Sequence, residues 1–255
     1  MKDGARRTFK AFTLRERPEL GDELERLGEK GWPRFMRQSD ELGLGRYWPK
    51  LFGDFADWQF VVCDSFDRVV AGGHSVPFTW DGTPADLPES MAAILERAAR
   101  VRAEQVKPTT LSALAALVGI EQRRQGLSRV VVETMRGMAA QWKLGALVAP
   151  VRPTLKSAYP LTSMERYVEW TDEEGLPVDP WMRVHARMGG EIVRVIPRAM
   201  VIAGTVRAWE AWTDMRFPDS GPYVVPGALQ PVVIDRERDE GRYEDPNVWM
   251  IHAGR

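Results

Sequence analysis

The chain has 255 residues, a net charge of −1, 44% hydrophobic and 28% charged residues, values that suit one large globular domain or two small ones. The balanced charge offers no basic surface for nucleic acid, no uncharged apolar run is long enough for a membrane helix, and the single cysteine, Cys63, excludes an intrachain disulfide. The opening MKDGARRTFK has no apolar signal core, so the expected setting is the cytoplasm.

In chain order, a short strand is expected over 8–14. Leu20, Leu24 and Leu27 then mark one face of a helix that ends near Gly31. A second helix or turn over 46–55 carries Tyr47, Trp48, Leu51 and Phe55. Strands are expected at 58–63 and 68–77, joined by the turn Asp64-Ser65-Phe66-Asp67. Residues 80–108 read as an insertion. Its turn residues Asp81-Gly82-Thr83-Pro84 precede a helix marked by Met91, Ile94, Leu95, Ala98 and Val101. Packing on the sheet edge is the expectation for that helix; covering the site is the alternative.

Residues 111–120, LSALAALVGI, carry no charge and suit a buried strand. A basic turn follows at once: Arg123-Arg124-Gln125-Gly126-Leu127-Ser128. Leu127, Val131, Met135, Met138 and Trp142 recur at helical spacing, Gly145 stops that helix, and 146–151 reads as the next strand. A turn of this kind aims free backbone N–H groups and the positive end of a helix dipole at an anion. Gly126 keeps a side chain out of the way, and Arg123 and Arg124 add charge, which points to phosphate or pyrophosphate. Neither a Walker loop nor the three-glycine dinucleotide fingerprint is present.

Residues 152–178 form a second, proline-bearing insertion with Lys156, Tyr159, Tyr167 and Trp170. Asp179-Pro180 is a helix start, with Trp181, His185 and Met188 on one face and Gly189-Gly190 at the end. A strand is expected over 191–197. Beyond it, 200–255 reads as an extension: a helix near 204–214, strand formers over 223–234 broken at Pro226-Gly227, a charged solvated turn at 235–242 and a last strand at 247–252.

Strand, turn, helix and strand in this order, with Val118-Gly119-Ile120 leading into Arg123-x-x-Gly126-x-Ser128, resemble the acyl-CoA motif of GNAT-type N-acyltransferases, [QR]-x-x-G-x-[GA]; Ser128 departs from its last position. His185-Ala-Arg-Met-Gly189-Gly190 is similar to the family's second motif, with histidine in place of tyrosine and glycine in place of phenylalanine. The resemblance implies an α/β fold with a mixed central sheet and helices on both faces. It implies one domain over 1–255, with a core at about 8–197, insertions at about 80–108 and 152–178, and the extension from about 200. It also implies that Val118, Ile120, Arg123, Arg124, Gln125, Gly126, Leu127 and Ser128 hold acetyl-CoA or another acyl-CoA.

The implied reaction is transfer of the acyl group to a small-molecule or peptide amine, with no nucleic-acid or membrane partner and a homodimer left open. An oxyanion donor is expected near Val118. His185 is the first choice to protonate the leaving thiolate and Tyr159 the second; a core histidine is the other reading of His185. The base is the gap, because 111–120 has no carboxylate. His74 in GGHSVP belongs beside the middle of the fourth strand, as a base or as a satisfied turn histidine, and His252 near the chain end is given no role. No zinc-ligand spacing exists. The alternative function is a noncatalytic acyl-CoA-binding module.

Overall fold

The computed structural model describes residues 8–122 and 125–254. Nine strands form one sheet, in the order β1 (Lys10–Thr13), β2 (Gln59–Cys63), β3 (Val69–Phe78), β4 (Thr110–Val118), β5 (Ala146–Val151), β9 (Glu240–Ala253), β8 (Val232–Asp235), β7 (Gly221–Tyr223); β6 (Gly190–Gly204) pairs with the other side of β9. Only the β4–β5 pair is parallel among the described strands. The crossover between them is α3 (Leu127–Gln141), as a parallel pair requires. The mixed α/β architecture is the expected one.

Residues alternate across each strand, so β3 tells the two faces apart. A Cβ at Gly72 would collide with Leu24 of α1 (Gly21–Gly31), and one at Gly73 with Met135 of α3. On the Gly72 side, the Arg97 guanidinium of α2 (Met91–Ala103) covers the Phe78 ring. The α3 face also carries α5 (Pro180–Arg187), tied to α3 by Arg136 Nη1 donating to the Met188 carbonyl at 3.0 Å.

The 46–55 segment, expected as a helix or turn, lies in a run of tight 3-10 turns at Leu44–Arg46, Trp48–Phe52 and Ala56–Trp58, because Pro49 and Gly53 punctuate it. Three expectations change. α2 does not pack on the sheet edge: it lies over the middle, its Ile94, Leu95 and Ala98 in one cluster with Leu111, Ile196 and Trp249. The Trp249 indole donates to the Pro88 carbonyl at 3.0 Å just ahead of it. The chain beyond 200 is not outside the core, since β9 runs down the middle of the sheet between β5 and β6. Pro197 does not end β6 either; a register break between Ile196 and Met200 absorbs it, and pairing resumes to Gly204.

Candidate active site

β4 and β5 pair only at Thr110–Ala146, Leu111–Leu147 and Ser112–Val148, then separate. Where they part, β4 carries a bulge: His74 faces Ala115 and Ser75 faces Ala113, leaving Leu114 as the extra residue. A bulge inside a splayed pair leaves main-chain groups of β4 without a ladder partner on the β5 side, and this lies nearer the strand's middle than the expected donor at Val118.

From the end of β4 the chain turns through Gly119, Ile120 and a 3-10 turn into α3. Gly126 is the N-cap, at φ 78°, with no side chain capping the helix. The conformation is one that glycine adopts freely, and a Cβ there would meet nothing within 4 Å. Leu127 is buried and anchors the turn, while Gly126, Gln125 and Ile120 are exposed and Ser128 is half-buried. Arg123 and Arg124 lie outside the described residues.

His74 is buried on the α1/α2 face, opposite Ala115 at the bulge. The rings of Trp48 and Phe52 meet it edge-on, with centroids 5.1 and 5.7 Å away. Its Nδ1 lies 3.0 Å from the Gln59 side-chain oxygen. Burial alone lowers its pKa to about 4, so the ring is neutral near pH 7.

His185 stands apart from this group, on the opposite face. It is 2% exposed, its ring centroid is 4.4 Å from that of Trp181, and its Nδ1 is 2.8 Å from Nε2 of His252. His252 does not sit at a loose chain end: β9 extends to Ala253, and His252 is buried opposite Leu147 and Gly190. Desolvation lowers both imidazoles, helped for His185 by His252 and for His252 by Arg136, to about 3 and about 4. The outer nitrogens, His185 Nε2 and His252 Nδ1, have no hydrogen-bond partner among the described residues, although the Met188 backbone near His252 favours its protonated form.

Tyr159, the second acid candidate, is 41% exposed and packs against Trp170 and Tyr167 rather than beside His185. The loop that carries it is pinned from below. The buried Lys156 Nζ donates to the carbonyls of Tyr159 and Leu229, and Asp179 accepts from the Leu155 amide and the Tyr167 hydroxyl. The same Asp179 caps α5 through the Trp181 and Met182 amides. Two surface hollows of about 430 and 420 Å³ lie elsewhere, beside Trp80 and Arg97 and beside Phe12 and Trp142.

With this geometry in place, comparison with known proteins is decisive. The chain is 35% identical over 249 aligned residues to arginine N-acetyltransferase avaD of Aspergillus versicolor, covering 87% of this chain and 84% of that one. The chain belongs to the GNAT-type N-acyltransferase superfamily. No family profile matches it. Among solved structures it superposes on the loading GNATL domain of CurA from Lyngbya majuscula (TM-score 0.62, 17% identity, 97% of each chain). It also superposes on the GphF GNAT-like decarboxylase solved with isobutyryl-CoA (TM-score 0.58, 17% identity, 97% of this chain and all of that one). At these identities the likeness establishes the GNAT fold.

Within this N-acyltransferase, sequence reasoning missed Gln59 and His252. Gln59 opens an apolar strand and reads as a strand end; only its contact with His74 reveals it. His252 was detectable as one of three histidines, but not as the partner of His185 across 67 residues.

Proposed function

We propose that this N-acyltransferase, acting in the cytoplasm, transfers the acyl group of acetyl-CoA or a related acyl-CoA to the α-amine of arginine or a similar cationic amine. The observation that carries the reading is the parting of β4 from β5 at the Leu114 bulge, followed directly by a helix start that no side chain caps. Such a cleft fits an extended thioester arm, and the open space at Gly126 fits its diphosphate. Gly126, Leu127 and Ser128 would hold that diphosphate through main-chain N–H groups, with Val118, Ile120 and Gln125 alongside; Arg123 and Arg124 would add charge.

Acyl-CoA supplies an activated thioester: the C–N bond forms, the C–S bond breaks, and the proton given up by the neutral amine ends on the departing sulfur, releasing the thiol. The protein must orient the amine, stabilise negative charge on the carbonyl oxygen and remove one proton from nitrogen. Main-chain N–H groups at the β4 bulge serve the oxyanion. His74 Nε2 takes the proton, from the face lined by Trp48 and Phe52, whose rings also suit a cation. The relative's substrate supports arginine as the acceptor. Its guanidinium stays protonated and has no lone pair to offer, so the α-amine is the nucleophile.

Burial of His185 and its pairing with His252 favour a packing role for it over thiolate protonation. The test is release of free thiol from acetyl-CoA with arginine, agmatine, lysine and short peptides, with the product mass measured. Thermal stabilisation by CoA without thiol release on any amine would replace the enzyme with a binding module.

A further inference from the structure

The Gln59 side chain is wholly buried, and its four contacts fix which way the amide points. Its Nε2 lies 2.8 Å from the Phe55 carbonyl and 2.8 Å from the Ser75 carbonyl, both pure acceptors. Its oxygen receives the Ser75 amide N–H at 3.3 Å, a pure donor. A reversed amide would set N–H against N–H and oxygen against two oxygens, so this orientation is the only one that satisfies the network. The atom that faces His74 Nδ1 at 3.0 Å is therefore an acceptor, and Nδ1 must carry the hydrogen.

A neutral imidazole carries a single N–H, so its Nε2 is left bare. That nitrogen has no protein partner among the described residues. The residues against the ring, Trp48, Phe52, Gln59 and Ala115, carry no charge.

We propose that Gln59 is a positioning residue that locks His74 in its Nδ1–H form and so presents Nε2 as a standing proton acceptor beside the β4 bulge. The inference rests on the reading of His74 as the base, and it adds the device that keeps the base in its receptive form. An imidazole in water prefers hydrogen on Nε2; here that preference would block the reaction. Gln59 reverses it and ties the result to the β2–β3 ladder, where ring and bulge share one register.

The direct test reads the unaltered protein and uses a variant only for assignment. Long-range proton–nitrogen spectra of ¹⁵N-labelled protein at pH 7 report the tautomer of each of the three histidines, with His74 assigned from the signal lost in His74→Asn. The expected result is Nδ1–H; an Nε2–H or averaged ring overturns the proposal. The kinetic arm uses two substitutions. Gln59→Leu removes the acceptor and lowers kcat on the order of 10²- to 10⁴-fold, the scale of a misdirected catalytic imidazole, while the KM for acyl-CoA holds. Gln59→Glu keeps an acceptor for Nδ1–H and adds a charge that favours imidazolium, so the acid limb of kcat moves up by about one pH unit or more. An unmoved limb in Gln59→Glu, with the Nδ1–H form intact, would make Gln59 a structural residue only. Full activity in His74→Asn is a separate outcome: it removes the base assignment and leaves the tautomer result standing.

Discussion

His185 on α5 and His252 on β9 share a single hydrogen between Nδ1 and Nε2, 2.8 Å apart, inside a core that lowers both imidazoles to about 3 and about 4. With both rings neutral, one of these two nitrogens donates and the other accepts. Neither ring is charged in the native protein near pH 7. The unfolded chain, by contrast, protonates its histidines below their ordinary pKa of 6.5. The unfolded state then binds more protons, and stability falls as the pH drops. The loss begins below about pH 6.5 and levels off near pH 4 to 3, where the native rings protonate as well. Each imidazole contributes up to about 1.4 kcal/mol per pH unit within that window, and His74 adds a third with the same sign. Urea unfolding between pH 7 and 4.5 measures this. A flat profile would mean that the rings titrate freely in the folded protein.

The same pair makes a prediction about coupling. His185→Leu alone strands the His252 nitrogen in the core, and His252→Leu alone strands that of His185; each costs about 1–3 kcal/mol. Replacing both removes the desolvation problem with the partner, so the double variant loses less than the sum by about 1 kcal/mol or more. A double-mutant cycle in urea gives the number, and simple additivity would show that the hydrogen bond contributes nothing.

Much of the fold is legible in short-range pattern. The β2–β3 hairpin, α3 and the capped start of α5 follow from alternation, helical spacing and an Asp-Pro pair. What escapes is long-range. Nothing local in 247–252 announces that β9 enters between β5 and β6, because that choice depends on which edges remain unpaired once the rest has folded. Pro197 reads as a strand end because the register break that absorbs it involves a strand some fifty residues further on. The site divides in the same way. The glycine turn is a local signature, whereas the orientation of His74 depends on an amide one strand away, and that of His185 on the far end of the chain.

Gly126 gives a clean test of the anion turn. Gly126→Asp places a carboxylate where the open space and free amides now lie, and loses CoA affinity about tenfold or more through like-charge repulsion and blocked approach. Gly126→Ala separates the causes: it meets the same backbone penalty, about 1 kcal/mol, without the charge. Calorimetric titration with CoA of both variants decides it. Unchanged affinity in Gly126→Asp would remove the diphosphate from this turn.

Asp179 holds more of the α5 end than a cap ordinarily does. One oxygen receives the Trp181 and Met182 amides, and the other receives the Leu155 amide and the Tyr167 hydroxyl. Asp179→Ala leaves these donors without their acceptor in a buried site and costs about 3–4 kcal/mol, above the typical value of about 1 for a lost cap. Tyr167→Phe breaks a single bond and costs about 1 kcal/mol. Urea unfolding of the two variants should separate them clearly, and similar losses would mean that the cap alone matters.

His74 faces the bulge of β4 with a bare Nε2, and no carboxylate stands in that strand to share the work. His74→Ala should therefore lower kcat by about 10²-fold or more, the usual yield of a positioned general base, while CoA affinity stays within about twofold. The variant opens a space between Trp48 and Phe52 and frees the Gln59 oxygen, so it also loses stability. Imidazole added to the assay enters that space and restores part of the rate without changing the melting temperature. A structural role for the ring predicts the reverse, with the rate recovering only when stability does. Comparing rate and melting temperature across an imidazole series distinguishes the two. No rescue, together with near-normal turnover per folded molecule, would return His74 to the core.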